Sequence, residues 1–486
     1  MPLPDVSFTI LDGQLGALNP STGQVQAVIG CSDAGTPLVP VLVNSPSQLV
    51  NTFGYGPLVS AAAVAMADGL APLVVVKVAN NAVGTAGSVT HVGTGTSVMT
   101  TSGAPNDTYD FIVKVTRAGV IGTGAAPGFV ISQDGGITFG PEIRAQTGTP
   151  PFTYLVPHTG VTLSFTHVDS DDFHVNDTYS FSTVEPSWLA ADVASAVTAL
   201  GVQPNEFGFI HVVGAANATQ AGTIATALGS LATTFVFESL LLSARDINTG
   251  ASETESAWIT SIEADFASFS NTRIGVVAGY GRQSNILDPW ILRRPMAWKA
   301  AGRGSGASLH DSLGRVRNGS IPGMGKDLNG VIIYHDERAL PGLDAQRFIT
   351  TRSHVGLPGV YFTAAPLMAP SGSDFGQWQL RRVMDLACRT ARNFFVNEIN
   401  DSVRLDPATG FILEKDARDL ELRSDAALRD QLVSPGHASA ATTTVSRTDN
   451  IISTSTITVN IRVIPLGYLR FISVTIGFFN PALTGP

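Results

Sequence analysis

Cysteine and charge are scarce in this chain. Its 486 residues contain two cysteines, Cys31 and Cys388, and 14% charged residues against 44% hydrophobic ones. Two thiols far apart, with no CxxC or Cys/His spacing, exclude a disulfide framework and a structural zinc site. Both read as buried thiols of a reducing compartment. A surface poor in charge, in a chain rich in Gly, Ala, Ser and Thr, favours association over free monomeric solubility. The opening residues, Met1-Pro2-Leu3-Pro4-Asp5, lack a basic segment followed by an apolar run, so no secretory signal is expected. The most apolar stretch, Ser60 to Ala79, is broken by Asp68, Gly69 and Pro72 and reads as helix, turn and buried strand, not a membrane span.

Catalytic signatures are also missing. Gly302-Arg303-Gly304-Ser305-Gly306 lacks the Gly-Lys-Ser/Thr ending of a phosphate-binding loop. Gly279-Tyr280-Gly281 follows an expected strand but has no third glycine at dinucleotide-site spacing. His310-Asp311-Ser312 and His335-Asp336-Glu337 hold catalytic residue types, yet sequence neighbours rarely point at one another, so neither is a triad as written. There is no Gly-x-Ser-x-Gly elbow. Asp169, Asp171 and Asp172 lack the twelve-residue calcium-loop pattern and read as a solvated acidic loop. No cofactor or metal is expected. The basic stretch of Trp290, Arg293, Arg294, Trp298 and Lys299, in an acidic chain with net charge −10, suits a protein–protein contact better than nucleic acid.

Charge is unevenly spread. From Asn81 to Glu185 nine acidic residues face three basic ones, and from Arg282 to Lys326 eight basic residues face two acidic ones. Separated opposite charges of this kind can steer copies of a chain together.

Hydrophobic patterning gives the organisation. Val6, Phe8 and Ile10 alternate as a short strand arm, with Gly13 to Gly23 a tether, so residues 1–23 form one segment. Residues 24–80 alternate apolar strands (Gln24 to Cys31, Val39 to Val43, Leu73 to Val78) with helices at Ser45 to Thr52 and Leu58 to Ala67. Residues 81–185 turn Gly/Thr/Ser-rich with short alternating runs, an inserted β-sandwich-like domain. Asn106-Asp107-Thr108-Tyr109 is echoed there by Asn176-Asp177-Thr178-Tyr179. Strand and helix alternate again over 186–355, which predicts a mostly parallel sheet completed by the early strands. The expected class is a multidomain α/β protein.

Residues 356–465 are expected to form an α+β domain. Gln377 to Asn400 predicts a helix with Leu380, Met384, Ala387, Cys388, Ala391, Phe395 and Ile399 inward. Glu414 to Leu432 predicts another, with Ala417, Leu420, Ala427, Leu428 and Leu432 inside and a face of mixed charge outside. At the end, Ile457, Val459, Ile461 and Val463 alternate with polar residues, and after Pro465 so do Ile472, Val474, Ile476 and Phe478. With no third patterned strand nearby, the two read as a marginal hairpin with edges that invite another chain. Residues 466–486 form the terminal arm.

The order of these parts resembles contractile tail sheath proteins of myophages, R-type tailocins and related injection systems. The resemblance rests on Pro40-Val41-Leu42-Val43-Asn44-Ser45, Phe53-Gly54-Tyr55-Gly56, Val74-Val75-Val76-Lys77-Val78 and Arg294-Pro295-Met296-Ala297-Trp298. The helix through Arg381, Val383 and Met384 to Phe394-Phe395-Val396-Asn397 and the strand pair around Pro465 carry it further. Leu466-Gly467-Tyr468 depart from the acidic residue many sheaths place after that proline. The resemblance implies a non-enzymatic subunit of a helical homo-oligomer in a virion tail or tailocin, assembled in the bacterial cytoplasm. It implies partners in the inner tail tube, baseplate and tail terminator, without nucleic acid or membrane insertion. It makes Val6, Phe8, Ile10 and Ile472 to Phe478 intersubunit arms, puts Ile457 to Val463 near the receiving sheet, and turns Lys415, Arg418, Asp419 and Arg423 toward the tube. An α/β enzyme with an unidentified cleft, and another viral shell or tube protein, are the alternatives.

Overall fold

The computed structural model describes residues 22–69, 72–122, 126–145, 151–284, 286–287, 289–322 and 335–478. The chain divides into two compact units, Met1–Arg392 and Asn393–Pro486.

The first unit is organised by a six-stranded sheet in the order Ile274–Val277, Ser239–Ser243, Phe209–Ala215, Gln26–Gly30, Leu73–Lys77 and Val41–Val43. Neighbours are parallel except Val41–Val43, which runs antiparallel to Leu73–Lys77 at one edge. Near-continuous apolar runs suit strands covered on both faces, and the period of two splits them cleanly. Ile29, Val74, Val76, Ile210, Val212 and Leu240 face Val193, Ile224 and Trp258 of helices Ala190–Leu200, Ala218–Thr233 and Glu255–Phe266. Val28 and Val75 face the other way, onto Leu58 and Ala62 of helix Pro57–Asp68. Phe209, Leu241 and Val277 meet Met296 and Ala300 of helix Met296–Gly306 on that side.

Local chemistry starts these helices where the sequence allows. Ser45 accepts a hydrogen bond from the Gln48 N–H with Pro46 in the first turn of Pro46–Phe53. Asn217 and Gln220 form a reciprocal capping box ahead of Ala218–Thr233.

Among the described residues, nine strands between Thr85 and Val184 are inserted after Leu73–Lys77. Phe152–Leu155, Val161–Thr166 and Val98–Gly103 make one antiparallel sheet. Thr85–Ala86, Thr178–Val184, Asp110–Arg117, Gly128–Ser132 and Ile143–Arg144 make another, with Thr90–Val92 on the side of Thr178–Val184. Phe111, Phe129, Phe165, Phe173, Tyr179 and Phe181 fill a shared core, with Phe165 and Phe129 rings 5.0 Å apart. The echoed Asn-Asp-Thr-Tyr segments precede two directly paired strands, Asp110–Arg117 and Thr178–Val184.

The oppositely charged stretches meet within the chain. Arg294 donates to Asp107 at 2.8 Å and to the Thr108 carbonyl at 3.0 Å, and Arg282 donates to the Asp134 carbonyl at 3.1 Å. Arg293 pairs with Asp246 at 2.6 Å and Lys299 with Asp68 at 2.7 Å. This corrects one expectation. The basic stretch is not a free protein–protein contact: Arg294 and Arg282 tie it to the insertion, and Arg293 and Lys299 to the core. Stranding one buried partner costs roughly 3–5 kcal/mol, so the pairing is structurally binding even where its net gain is small.

Helix Trp378–Val396 also departs from its expected orientation. Trp378, Arg381, Arg382, Asp385 and Leu386 are buried together with the expected Ala387, whereas Leu380, Met384, Cys388, Ala391 and Phe395 are half-buried and Ile399, past the helix end, is exposed. The charged side turns inward because partners await it. Asp385 meets Arg273 at 3.1 Å, Arg389 meets Glu238 at 3.0 Å, and Arg382 lies 4.7 Å from the Trp378 ring centroid. The hairpin Thr351–His354/Leu357–Phe362 crosses the boundary expected at 355/356.

In the second unit, helix Glu414–Leu428 continues into a π-helical turn, Arg429–Val433. An antiparallel pair follows, Ala438–Val445 with Val459–Pro465. Ile412, Ala417, Leu420 and Val445 form its small core, with Phe394, Phe395, Ile451, Ile457 and Val459 packed on it.

Candidate assembly interface

The terminal hairpin is not the one the alternation implied. Val459–Pro465 pairs with Ala438–Val445, in the register Val459 to Val445, Ile461 to Thr443 and Val463 to Ala441, and Ile472–Phe478 takes no part. Ala438–Val445 reads Ala-Ser-Ala-Ala-Thr-Thr-Thr-Val, which has no apolar alternation and too much alanine to announce a strand. The expected face of Ile457, Val459, Ile461 and Val463 is otherwise as read: all four are half-buried on one side.

The two edges of this hairpin differ. Along Ala438–Val445, the Thr443 N–H donates to Asp425 at 2.6 Å and the Val445 N–H to Glu421 at 2.9 Å. Both carboxylates come from helix Glu414–Leu428, so the helix caps that edge. Arg447 holds Glu421 in place, bonding it through both guanidinium nitrogens and reaching Glu414 at 3.0 Å. The guanidinium lowers the Glu421 carboxyl to about 2. On the other side, among the described residues, nothing outside the hairpin bonds the backbone of residues 459–464. One edge is closed and one is open.

Beyond Pro465 the chain runs to Phe478 with no strand partner. Leu469, Phe471, Ile472, Val474, Ile476 and Phe478 are 70–111% exposed. So many large apolar side chains in one short stretch are abnormal for an isolated soluble chain. Val6, Phe8 and Ile10 lie outside the described residues.

Lys415, Arg418, Asp419 and Arg423 share the exposed face of helix Glu414–Leu428. Arg418 pairs with Glu414 at 3.0 Å and Arg423 with Asp419 at 2.9 Å, each one helical turn apart. Arg423 also grips Glu398 at 2.6 Å. Exposed pairs of this kind contribute about 0–1 kcal/mol each, so they stabilise little and leave a surface of both signs.

The residue types that suggested catalysis serve the fold. Gly302 to Gly306 lies inside helix Met296–Gly306, not in a loop between strand and helix. Ser312 accepts from the Gly314 N–H, while Asp311 is engaged by Arg315. Buried His335 bridges Glu255 at 2.7 Å and Glu337 at 3.0 Å, tying its loop to helix Glu255–Phe266. Asp172 accepts from His167 at 2.6 Å and from the Val168, Asp169 and Ile121 N–H groups. Among the described residues no group of His, Cys, Asp or Glu side chains is arranged to hold a metal, and no helix is long and apolar enough to cross a membrane.

Comparison with known proteins gives the class first. The fold is shared along its length with a chain of the six-fold symmetrised cryo-EM structure of the anti-feeding prophage baseplate. The TM-score is 0.52 at 9% identity, covering 99% of this chain and 100% of that one. Two sheath tail proteins are also among the solved structures this chain is similar to. The one from Listeria innocua matches at TM-score 0.46 and 11% identity, over 93% of this chain and 97% of that one. The one from Desulfitobacterium hafniense matches at 0.40 and 11%, over 95% and 100%. No curated protein sequence matches. The chain belongs to the DUF2586 family, whose N-terminal domain matches residues 3–366 and whose C-terminal domain matches residues 374–483.

Two outcomes test these contacts. Replacing Glu421 and Asp425 together by alanine uncaps the second edge, and light scattering should show irregular aggregates at concentrations where the parent stays clear. For His335, burial pulls the imidazole pKa down, but the hydrogen bonds it donates to Glu337 and Glu255 outweigh it and the net shift is upward. Its stabilisation is therefore complete below the unfolded value of about 6.5 and fades as pH rises through the raised folded value. Denaturant midpoints should fall from pH 6 to pH 8 more steeply in the parent than in His335→Gln.

Proposed function

We propose that this chain is the structural subunit of a contractile tail sheath, polymerising around an inner tube and contracting to drive it through a target envelope. The observation that carries the reading is the coexistence, among the described residues, of an exposed apolar terminal stretch, Leu469 to Phe478, that belongs to no strand and an open edge on the terminal hairpin. Residues 466–478 of one subunit would add to the Val459–Pro465 edge of the next, a β-augmentation that links copies through main-chain bonds while alternate side chains fill pockets.

Magnitudes support an edge over a featureless surface. Burying six side chains at about 2 kcal/mol each yields about 12 kcal/mol. Ordering about a dozen residues costs about 1–2 kcal/mol each, which cancels it. The balance then rests on ladder hydrogen bonds at about 1 kcal/mol apiece, available only where an edge is already formed.

The remaining parts follow from the same reading. Val6, Phe8 and Ile10 would supply a second connector at the other end of the chain. Lys415, Arg418, Asp419 and Arg423 would face the tube, a mixed-sign surface that can slide without a dry contact to break. The inserted sheets would lie outermost, and the ends of the polymer would meet baseplate and terminator proteins in a phage tail or tailocin particle. Firing needs no hydrolysis here, because the extended polymer stores the energy and the linked strands survive the rearrangement.

Deleting residues 466–486 should leave a folded, soluble chain by circular dichroism and remove long polymers from negative-stain micrographs. Polymers of normal length from that deletion would refute the arm.

A further inference from the structure

The inserted sheets, the Tyr55–Gly56 turn ahead of helix Pro57–Asp68, and the segment ending at Trp290 surround a partly open cavity of about 290 Å³. Among the described residues that form it there is no Asp, Glu, Lys or Arg; His158 also lines it, its ring 4.2 Å from that of Tyr55. Tyr55, Tyr154 and Trp290 bring aromatic rings, and Ile131 and Val156 an apolar floor. Gln133 and Ser60 also line it, 8% and 9% exposed, and among the described residues neither side chain finds a hydrogen-bond partner in the protein. Nothing in the sheath reading uses this space.

A largely buried amide and hydroxyl without a protein partner favour a ligand that bonds them. Each wall restricts what that ligand is. A phosphate or carboxylate would lose its water and meet no lysine or arginine, only His158. A purely apolar ligand would leave Gln133 and Ser60 unsatisfied. The aromatic rings suit a flat or chair-like face carrying C–H groups, and Gln133, with both donor and acceptor, suits an edge of hydroxyl or amide groups. The volume equals about ten waters' share of liquid, enough for one ring with its neighbours leaving through the mouth. Apolar walls, few polar groups and a place between two substructures are the usual marks of a small-ligand site.

We infer that this cavity binds one ring of a neutral glycan, stacked on the aromatic side chains and hydrogen-bonded by Gln133 and Ser60. Such a site, on the inserted sheets, would let an assembled particle hold a neutral surface polysaccharide independently of contraction.

The test uses the full-length chain with chitotriose, maltotriose, a sialylated trisaccharide and a proline-rich peptide, read by saturation-transfer NMR and tryptophan fluorescence. At least one neutral oligosaccharide should bind, and Gln133→Ala should weaken it at least tenfold. Gly140→Leu is the second variant. A Cβ at Gly140 would meet the Ile131 carbonyl oxygen at 3.5 Å and the Trp290 ring at 3.7 Å, both ordinary contacts, so the position has room for a Cβ and a leucine puts bulk beside Trp290 while Gln133 and Ser60 stay in place. It should abolish binding with unchanged circular dichroism. The proposal is overturned if folded protein gives no signal with neutral glycans at millimolar concentration. Preference for the sialylated sugar or the peptide, or equal binding by both variants, would overturn it as well.

Discussion

Backbone groups on a β-strand must be bonded to something, and how one short hairpin meets that demand organises the account. Glu421 and Asp425 satisfy Thr443 and Val445 on one edge, and Arg447 fixes Glu421 there. The opposite edge, Val459–Pro465, meets nothing outside the hairpin among the described residues. A chain with both edges open would pair indiscriminately; one with both closed would stay monomeric. One open edge gives a directional, head-to-tail contact, the kind that propagates when its symmetry does not close.

The low charge of the chain follows from the same division of labour. Its strongest opposite charges are consumed internally, as Arg294 with Asp107 and Lys299 with Asp68, fixing the inserted sheets and helix Met296–Gly306 in place. What remains on the outside of helix Glu414–Leu428 is balanced and weakly paired. Rigid joints inside the subunit and weak polar contacts on its surface suit a body that moves as a unit while its links hold.

Much of this was legible in the sequence where one physical signal dominated. Leu73–Lys77 announces itself as a strand buried on both faces, and the insertion shows in the change of composition after Asn80. The signal failed where it was split between residues. Ala438–Val445 has helix-favouring alanines and β-favouring threonines, so the true partner of Val459–Pro465 was missed and Ile472–Phe478 took its place. The helix at Trp378 was turned the wrong way because its arginines and Asp385 find partners, Arg273 and Glu238, far away in sequence. The edge-capping carboxylates were visible only as a solvated charged face. Long-range pairing of polar groups leaves no local period to read.

The most direct measurement is a helical cryo-EM reconstruction of the assembled polymer. The account predicts continuous density for residues 466–478 of one subunit, hydrogen-bonded as an added strand to Val459–Pro465 of its neighbour, in both the extended and the contracted state. Density that folds this segment back onto its own chain, or a Val459–Pro465 edge facing solvent in the polymer, would contradict it.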